Sequence, residues 1–271
     1  MKPLVIKLGG AALSNVEAAR NLAESIVLLQ QEGQSVVIVH GGGPMINRRL
    51  QDKGISWSFH EGQRITTPEM MNVIESALGE VNQVLCDVFT EFGIKVLGIQ
   101  SSSKAMFQCR QMDPRLGQVG EIIDVDTTLV NEAIEMGVVP VVAPIGSDKT
   151  GMSYNINADW GASCLATSLE AKALVYATDQ RGILDINGLP YQSLTLDQLR
   201  TLMKKNGVTG GMLAKTRSIE KALLNGVKKV CVTHALEMTD LIKTRLGGTL
   251  CVELGHLESI LKMKENNYAV S

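Results

Sequence analysis

Glycine-rich segments follow two apolar runs that are typical of buried strands. Lys7 ends the first run and is followed by Gly9 and Gly10, and three consecutive glycines, 41–43, follow the second run. Three ordered glycines are costly, so a plain turn rarely needs them. Backbone N–H groups beside a lysine suit a polyphosphate at the carboxyl edge of an open sheet. The dinucleotide-binding pattern would need a further glycine where Ile46 stands, so a Rossmann dehydrogenase is disfavoured.

A further glycine pair opens a predicted helix. Gly210 and Gly211 begin it, and Lys215 falls in its first turns, where it can point at whatever the helix N-terminus faces. The segment is not a Walker A loop, because Thr209 and Ala214 stand where that loop requires glycine.

One acid lies between these segments in the chain. Asp159 comes shortly after Asn155 and begins another predicted helix. Capping that helix is the ordinary interpretation of Asp159, and holding two lysines in place is the alternative. Farther along, Thr178, Asp179 and Gly182 belong to a polar loop after a buried strand, which suits a nucleotide.

Apolar runs alternate with amphipathic stretches along the chain. The runs are continuous, which favours strands buried on both faces. Their alternation with helices predicts an α/β fold with an open, mainly parallel central sheet sandwiched by helices. The runs lie at 4–6, 36–39, 138–142, 173–176 and 230–232.

Local signals refine this fold. A long helix is predicted from an N-cap at Thr67 to about Phe92, and a shorter one over 45–53. Residues 55–65 suit a hairpin, and 95–124 suggest an antiparallel excursion in the N-terminal part.

The composition is that of a folded chain of enzyme size. Of the 271 residues 45% are hydrophobic, and a formal net charge of −2 gives no general attraction to nucleic acid or to an anionic membrane. No apolar stretch reaches the ~20 residues of a membrane span, and no signal peptide opens the chain, so we expect a cytoplasmic protein. The five cysteines lack a Cys-x-x-Cys pair, which disfavours disulfides and a zinc site.

Six ordered motifs resemble the amino acid kinase family, most closely its acetylglutamate branch. The resemblance runs from residue 2 to about residue 254, and the stretches 62–66 and 155–159 favour that branch over carbamate, aspartate, glutamate and uridylate kinases. The motifs are Lys-x-Gly-Gly at 7–10, His-Gly-Gly-Gly at 40–43, Gly-x-Arg-Ile-Thr at 62–66, Asn-x-Asn-Ala-Asp at 155–159, Asp-x-x-Gly-Ile-Leu at 179–184 and Gly-Gly-Met-x-x-Lys at 210–215.

The resemblance implies a domain over 1–254 that uses ATP, with Mg²⁺ carried by the nucleotide, to phosphorylate the side-chain carboxylate of N-acetyl-L-glutamate in arginine biosynthesis. The acyl amino acid would bind an N-terminal lobe of about 1–150 and ATP a C-terminal lobe of about 151–254. The break between the lobes is expected between residues 145 and 159. The tail 255–271 exceeds the resemblance and suits a short helix.

The resemblance also implies roles for individual residues. Lys7 and Lys215 would be the cations on either side of the transferred group, and Asp159 would hold both. The predicted binding residues are Gly42, Gly43, Arg64 and Asn155 for the acid, Gly9, Gly10, Gly210 and Gly211 for phosphates, and Thr178, Asp179 and Gly182 for the rest of ATP. Gly10 would share the phosphoryl group with Gly42 and Gly43, Arg64 would bind the α-carboxylate, and the loop 205–211 would lie near the nucleotide.

Two alternatives stay open at this point. Segment 100–106 departs from the family pattern near the substrate lobe, so a kinase for a related acid, such as an N-acyl or carrier-linked 2-aminoadipate, is the first. A non-catalytic sensor with the same fold is the second. Only six residues precede Lys7, which leaves no room for the helix that links arginine-inhibited relatives into hexamers. We therefore expect a homodimer without arginine feedback, testable by sedimentation and by assay with arginine.

Overall fold

Strands and helices alternate along most of the chain. The computed structural model describes residues 2–9, 16–100, 106–239 and 248–252. The strands are β1 (Leu4–Leu8), β2 (Val36–His40), β3 (Phe59–His60), β4 (Gln63–Arg64), β5 (Val96–Ile99), β6 (Phe107–Gln111), β7 (Gly120–Val125), β8 (Val139–Val142), β9 (Ile145–Ser147), β10 (Ser153–Asn155), β11 (Ala173–Thr178), β12 (Ser193–Thr195), β13 (Lys229–His234) and β14 (Thr249–Val252). The helices are α1 (Val16–Gln31), α2 (Gly43–Asp52), α3 (Pro68–Glu91), α4 (Thr128–Glu135), α5 (Ala158–Ser168), α6 (Leu196–Lys204) and α7 (Gly210–Leu224).

An eight-stranded sheet forms the centre of the described structure. Its strand order is β12, β14, β13, β11, β1, β2, β8, β5, and β13 with β14 is its one antiparallel pair. β1 is paired in parallel with β2 on one side and with β11 on the other. Strands that follow β1 directly are added on the β2 side, and later strands are added on the β11 side, so the direction reverses next to β1. Open α/β sheets bind ligands at the carboxyl end of such a switch point. The predicted fold class is confirmed.

The two faces of the sheet pack against different helices. Ile6 and Leu8 belong to an apolar cluster with α1 and α3, whereas Val5 belongs to a cluster with α5 and α7. Because side chains alternate along a strand, Lys7 lies on the same face as Val5. The alternation of side chains along β1 therefore directs Lys7 toward the layer of α5 and α7.

The antiparallel excursion is shorter than predicted. It was expected over 95–124, but β5 pairs in parallel with β8 and forms an edge of the central sheet. The separate four-stranded sheet begins only at β6 and has the order β10, β9, β6, β7. The prediction included β5 in the antiparallel region because β5 is an edge strand that is only partly buried. Such a strand lacks the continuous apolar run that identifies the central strands.

The local predictions agree with the remaining elements. Thr67 caps α3 by accepting a hydrogen bond from the Met70 N–H, and β3 pairs with β4 as a short antiparallel hairpin. α2 begins at Gly43 rather than at residue 45, with Pro44 in its first turn. Proline suits that turn because the first N–H groups of a helix have no partner within the helix. The tail 255–271 lies outside the described residues.

Candidate active site

One buried carboxylate joins two lysines at the carboxyl edge of the sheet. The Oδ1 atom of Asp159 lies 2.7 Å from Nζ of Lys7 and 2.9 Å from Nζ of Lys215, which also lies 2.9 Å from Oδ2. Each of the three residues is at most 8% exposed. They come from the end of β1, the first turn of α5 and the second turn of α7, so the fold unites residues that are far apart in sequence.

Asp159 does not cap α5. Asn157 is the N-cap, and its Oδ1 accepts a hydrogen bond from the Asp159 N–H at 2.9 Å. The Asp159 carboxylate is therefore free to pair with the lysines. Burial alone would raise its pKa, but the charges of Lys215 and Lys7 outweigh burial and hold the pKa well below the ordinary value.

Lys215 is held by more than Asp159. Its Nζ lies 4.7 Å from the centre of the Tyr176 ring, and the Tyr176 hydroxyl contacts both the Asp159 carbonyl and the Ser218 hydroxyl. Burial lowers the pKa of Lys215 to about 8, although the Asp159 carboxylate opposes that shift. The ammonium is therefore charged at neutral pH and close to its titration range.

A cavity of about 550 Å³ opens on one side of this triad, and we call it the α7 cavity. Both lysines and Asp159 line it, and so do the strand ends and the loop before α7. Its other lining residues are Gly9, Thr178, Asp179, Gln180, Leu184, Asp185, Gly207, Val208, Thr209, Gly211 and Met212. The volume falls within the range of small-molecule sites.

Most of the residues predicted to bind phosphate or nucleotide lie on the α7 cavity. Gly9, Thr178, Asp179 and Gly211 line it. Gly210 and Gly182 are not among the lining residues, and Gly10 lies outside the described part of the chain. A Cβ on Gly182 would lie 2.5 Å from Oγ1 of Thr249, so this glycine permits close packing against β14.

A second cavity of about 390 Å³, which we call the α2 cavity, opens on the other side of the triad. Lys7 and Asp159 line both cavities, whereas Lys215 lines only the α7 cavity. All four residues predicted to bind the acid line the α2 cavity, namely Gly42, Gly43, Arg64 and Asn155. The two cavities thus meet at the Lys7–Asp159 pair.

The guanidinium of Arg64 is buried in the wall of the α2 cavity. It lies 4.7 Å from the centre of the Phe59 ring, and its Nη2 donates to Oδ1 of Asn47 at 2.6 Å. Its Nη1 has no hydrogen-bond partner in the described structure, and burial lowers the pKa of Arg64 to about 10. A buried cation with an unused donor is suited to an anionic ligand, because a carboxylate would supply both charge and acceptors.

Asn155 is held by Thr66, which lies two residues after the hairpin strand β4. Its Nδ2 donates to Oγ1 of Thr66 at 3.1 Å, and the Thr66 hydroxyl donates to the Arg64 carbonyl at 2.8 Å. Gly117 permits this arrangement, since a Cβ there would collide with the Thr66 carbonyl and its φ of 68° is left-handed. Asn155 and Arg64 are therefore positioned by one connected network.

The β3–β4 hairpin also contacts α7. Nη1 of Arg217 lies 3.5 Å from Oε2 of Glu61, and a Cβ built on Gly62 would lie 3.3 Å from Cβ of Ala214. The hairpin that carries Arg64 therefore lies against the helix that carries Lys215.

Sequence reasoning missed the apolar and amide residues of the α2 cavity wall, including Asn47, Phe59, Leu78 and Pro144. These residues belong to no motif and reach the cavity only through packing of α2, α3 and the hairpin. Asn47 could have been suspected only from its place one turn after the triple glycine.

Other kinds of site are absent from the residues that the structure describes. No three His, Cys, Asp or Glu side chains there gather in a way that could hold a metal ion. No described helix has both the length and the apolar character needed to cross a bilayer. The five cysteines are free thiols, and burial raises the pKa of Cys109 and of Cys231 to about 12.

Known proteins are similar to most of this chain in sequence and in fold. An acetylglutamate kinase of Roseobacter denitrificans is 37% identical over 230 residues, which covers 84% of this chain and 80% of that protein. An acetylglutamate kinase of Aquifex aeolicus is 34% identical over 275 residues, which covers 93% of this chain and 92% of that protein. The crystal structure of smu.665 from Streptococcus mutans is 28% identical, with a TM-score of 0.82 over 92% of this chain and 98% of that one.

A known family also matches the chain over a range that contains all six motifs. The amino acid kinase family is matched over residues 2–234, which includes β1, both cavities and the Lys7–Asp159–Lys215 triad. The similarity found in the six motifs is therefore confirmed. The chain belongs to the amino acid kinase family.

Proposed function

We propose that the chain transfers the γ-phosphoryl group of ATP to the side-chain carboxylate of N-acetyl-L-glutamate. The product would be the acyl phosphate N-acetyl-L-glutamyl 5-phosphate, an intermediate of arginine biosynthesis. The names of the relatives support the substrate, since they are acetylglutamate kinases at 34–38% identity. The observation that carries the proposal is that two cavities meet at the buried Lys7–Asp159 pair.

Electrostatics explains why such a site has two lysines. A carboxylate and a triphosphate repel each other until cations and oriented N–H groups neutralise their charges. Lys7 faces both cavities and would contact the transferred group from the acid side, while Lys215 would contact it from the nucleotide side. Asp159 would keep the two ammonium groups together, because without it they would repel each other.

The α7 cavity is assigned to ATP, which supplies the phosphoryl group. Gly9 and Gly211 line it without side chains, and a Cβ on Gly211 would meet open space. Backbone N–H groups of such segments suit phosphate oxygens, above all at the start of α7. Mg²⁺ would be held chiefly by phosphates and water, with Asp179 as a carboxylate in the cavity wall.

The α2 cavity is assigned to the acyl amino acid. Arg64 would bind the α-carboxylate through its unused Nη1, and Asn155 would hydrogen-bond the acylamino group. Gly42 and Gly43 line the wall near Lys7, where their N–H groups would face the reacting carboxylate and the phosphoryl oxygens. The reacting groups would then meet beside Lys7.

A hydroxamate assay tests the reaction directly, because hydroxylamine traps an acyl phosphate. ATP, Mg²⁺ and hydroxylamine are incubated with N-acetyl-L-glutamate, L-glutamate, L-aspartate or N-acetyl-2-aminoadipate. Lys215→Ala is the blank, and Lys228→Ala is the matched control, since Lys228 is exposed and lines neither cavity. We expect signal with N-acetyl-L-glutamate from the wild type and the control only.

The other outcomes separate the alternatives. Signal only with N-acetyl-2-aminoadipate keeps the chemistry and replaces the substrate. One methylene is worth only ~1–3 kcal/mol in a pocket, so the two acids are compared by kcat/KM. Silence with every acid, together with measurable ATP binding, contradicts the kinase proposal and favours a sensor. The homodimer stays a separate prediction, which sedimentation velocity tests.

A further inference from the structure

We propose that His40 is a positioning residue that turns the Gly42 N–H toward the α2 cavity. The inference rests on the proposed function, in which that N–H faces the phosphoryl group. His40 ends β2 and directly precedes the glycine segment 41–43, but it is fully buried and lines neither cavity. Its effect must therefore pass through the backbone.

The imidazole of His40 is engaged at both nitrogens. Nδ1 lies 2.8 Å from the Gly41 carbonyl oxygen, and Nε2 lies 3.1 Å from Nδ2 of Asn82. A carbonyl oxygen only accepts, so Nδ1 carries the hydrogen, and Nε2 accepts from Asn82. The second hydrogen of the Asn82 amide goes to the Val141 carbonyl at 2.8 Å. This network selects a single tautomer, and burial keeps the ring neutral by lowering the pKa of His40 to about 4.

The contact of His40 with the Gly41 carbonyl also sets the direction of the Gly42 N–H, because both groups belong to one peptide unit. No cis peptide is found among the described residues, so the Gly41 carbonyl and the Gly42 N–H point opposite ways across a planar unit. The carbonyl is held toward the interior by His40, which turns the Gly42 N–H outward. The Gly41 N–H is also fixed, because it donates to the Leu8 carbonyl at 2.9 Å.

Glycine makes such an anchor necessary. Residues 41–43 have no side chains to restrain them, and glycine has the largest conformational freedom of any residue. A peptide unit that rotated would withdraw one N–H donor from the transferred group. Removal of one such donor costs on the order of 10²–10³ in kcat in other acyl-transfer sites, and a loss of orientation costs part of that.

Two substitutions separate the two hydrogen bonds. In His40→Asn the side-chain amide falls near the place of Nδ1 and still reaches Gly41, whereas in His40→Gln it falls near Nε2 and reaches Asn82 instead. We expect His40→Gln to lower kcat ~10–100-fold with the KM for ATP within ~threefold, and His40→Asn to stay within ~threefold of wild type. Circular dichroism and melting temperature confirm that each variant is folded. Equal losses of kcat in both folded variants, or loss in His40→Asn alone, overturn the proposal.

An NMR measurement needs no turnover. Long-range ¹H–¹⁵N correlation of the wild-type histidines reports which ring nitrogen of His40 carries the hydrogen, and Nδ1–H is expected. The Nε2–H tautomer overturns the inference whether or not the chain is active. Silence in the hydroxamate assay together with the Nδ1–H tautomer contradicts the kinase proposal while the anchoring of Gly41 stands.

Discussion

The two cavities beside Lys7 differ in the kinds of groups that line them. The α2 cavity has side chains that are fixed by hydrogen bonds, with Arg64 against Asn47 and Asn155 against Thr66. The α7 cavity is lined largely by strand ends and by the loop before α7, with glycine at three positions of its wall. If the proposed function holds, a few fixed side chains would recognise the acid, whereas backbone groups and charge would mainly bind the nucleotide.

The largest expected effect tests the residue that both cavities share. Lys7→Ala should lower kcat ~10²–10³-fold, because it removes a cation from the point where the two anions would meet in the proposed reaction. Both KM values should change far less, since the loss falls on the transition state. Initial rates of ADP release measure this, with Lys228→Ala as the control. A large rise in one KM at unchanged kcat would assign Lys7 to that cavity alone.

Arg64 tests the side-chain recognition of the α2 cavity. Arg64→Lys should raise the KM for the acid ~10–100-fold, because an ammonium cannot form the two parallel hydrogen bonds of a guanidinium. The KM for ATP should stay within ~threefold. Arg49→Lys is the matched control, since Arg49 lies on α2 but outside the cavity. Equal rises in both KM values would contradict the division between the cavities.

The pH profile tests the charge of the α7 cavity. The pKa of Lys215 is lowered to about 8. The charged form would be the active one under the proposed function, so kcat/KM for ATP should fall as pH rises through 8. The loss should reach ~tenfold near pH 9, because one pH unit above the pKa leaves about a tenth of the ammonium charged. Lys215→Arg should abolish this alkaline limb at a lower plateau, and an unchanged limb would assign it to another group.

Gly211, which lines the α7 cavity, and Gly182, which does not, together test whether backbone forms the nucleotide-binding wall. Gly182→Ala should cost ~1–3 kcal/mol of stability, because the new methyl would meet Thr249, and should leave the KM for ATP within ~threefold. Gly211→Ala should leave stability unchanged and raise the KM for ATP, since its Cβ would meet no protein atom and would extend into the open space beside the cavity. Thermal unfolding and ATP saturation curves measure both. A raised KM for ATP in Gly182→Ala without loss of stability would favour the predicted nucleotide contact.

Sequence predicted the parts of the structure that depend on local signals. The five central strands have continuous apolar runs, Thr67 and Pro68 mark the start of α3, and the glycine motifs at 7–10 and 40–43 lie at the carboxyl ends of β1 and β2. Of the triad, only Lys7 ends a strand of the parallel sheet, since Asp159 follows β10 of the separate sheet and Lys215 lies in α7. The grouping of the three residues was implied by the family resemblance. Their distances and their roles in catalysis are separate matters, and the roles stay predictions.

The missed features depend on contacts between distant elements. Asp159 was open to a capping interpretation until Asn157 was seen to cap α5, and a choice between neighbouring caps is decided by backbone geometry. Gly182 matched a motif, yet it packs against a strand that begins more than sixty residues later. Phe59 and Leu78 reach the α2 cavity only through tertiary packing.

The contact between the β3–β4 hairpin and α7 has a thermodynamic consequence. It joins the element that carries Arg64 to the helix that carries Lys215, through Glu61 with Arg217 and through Gly62 with Ala214. Any coupling free energy between the two sites that this contact carries is reciprocal. The factor by which bound acid changes the affinity for nucleotide equals the factor by which bound nucleotide changes the affinity for acid. The order in which the two ligands arrive then alters the path and leaves the total binding free energy unchanged.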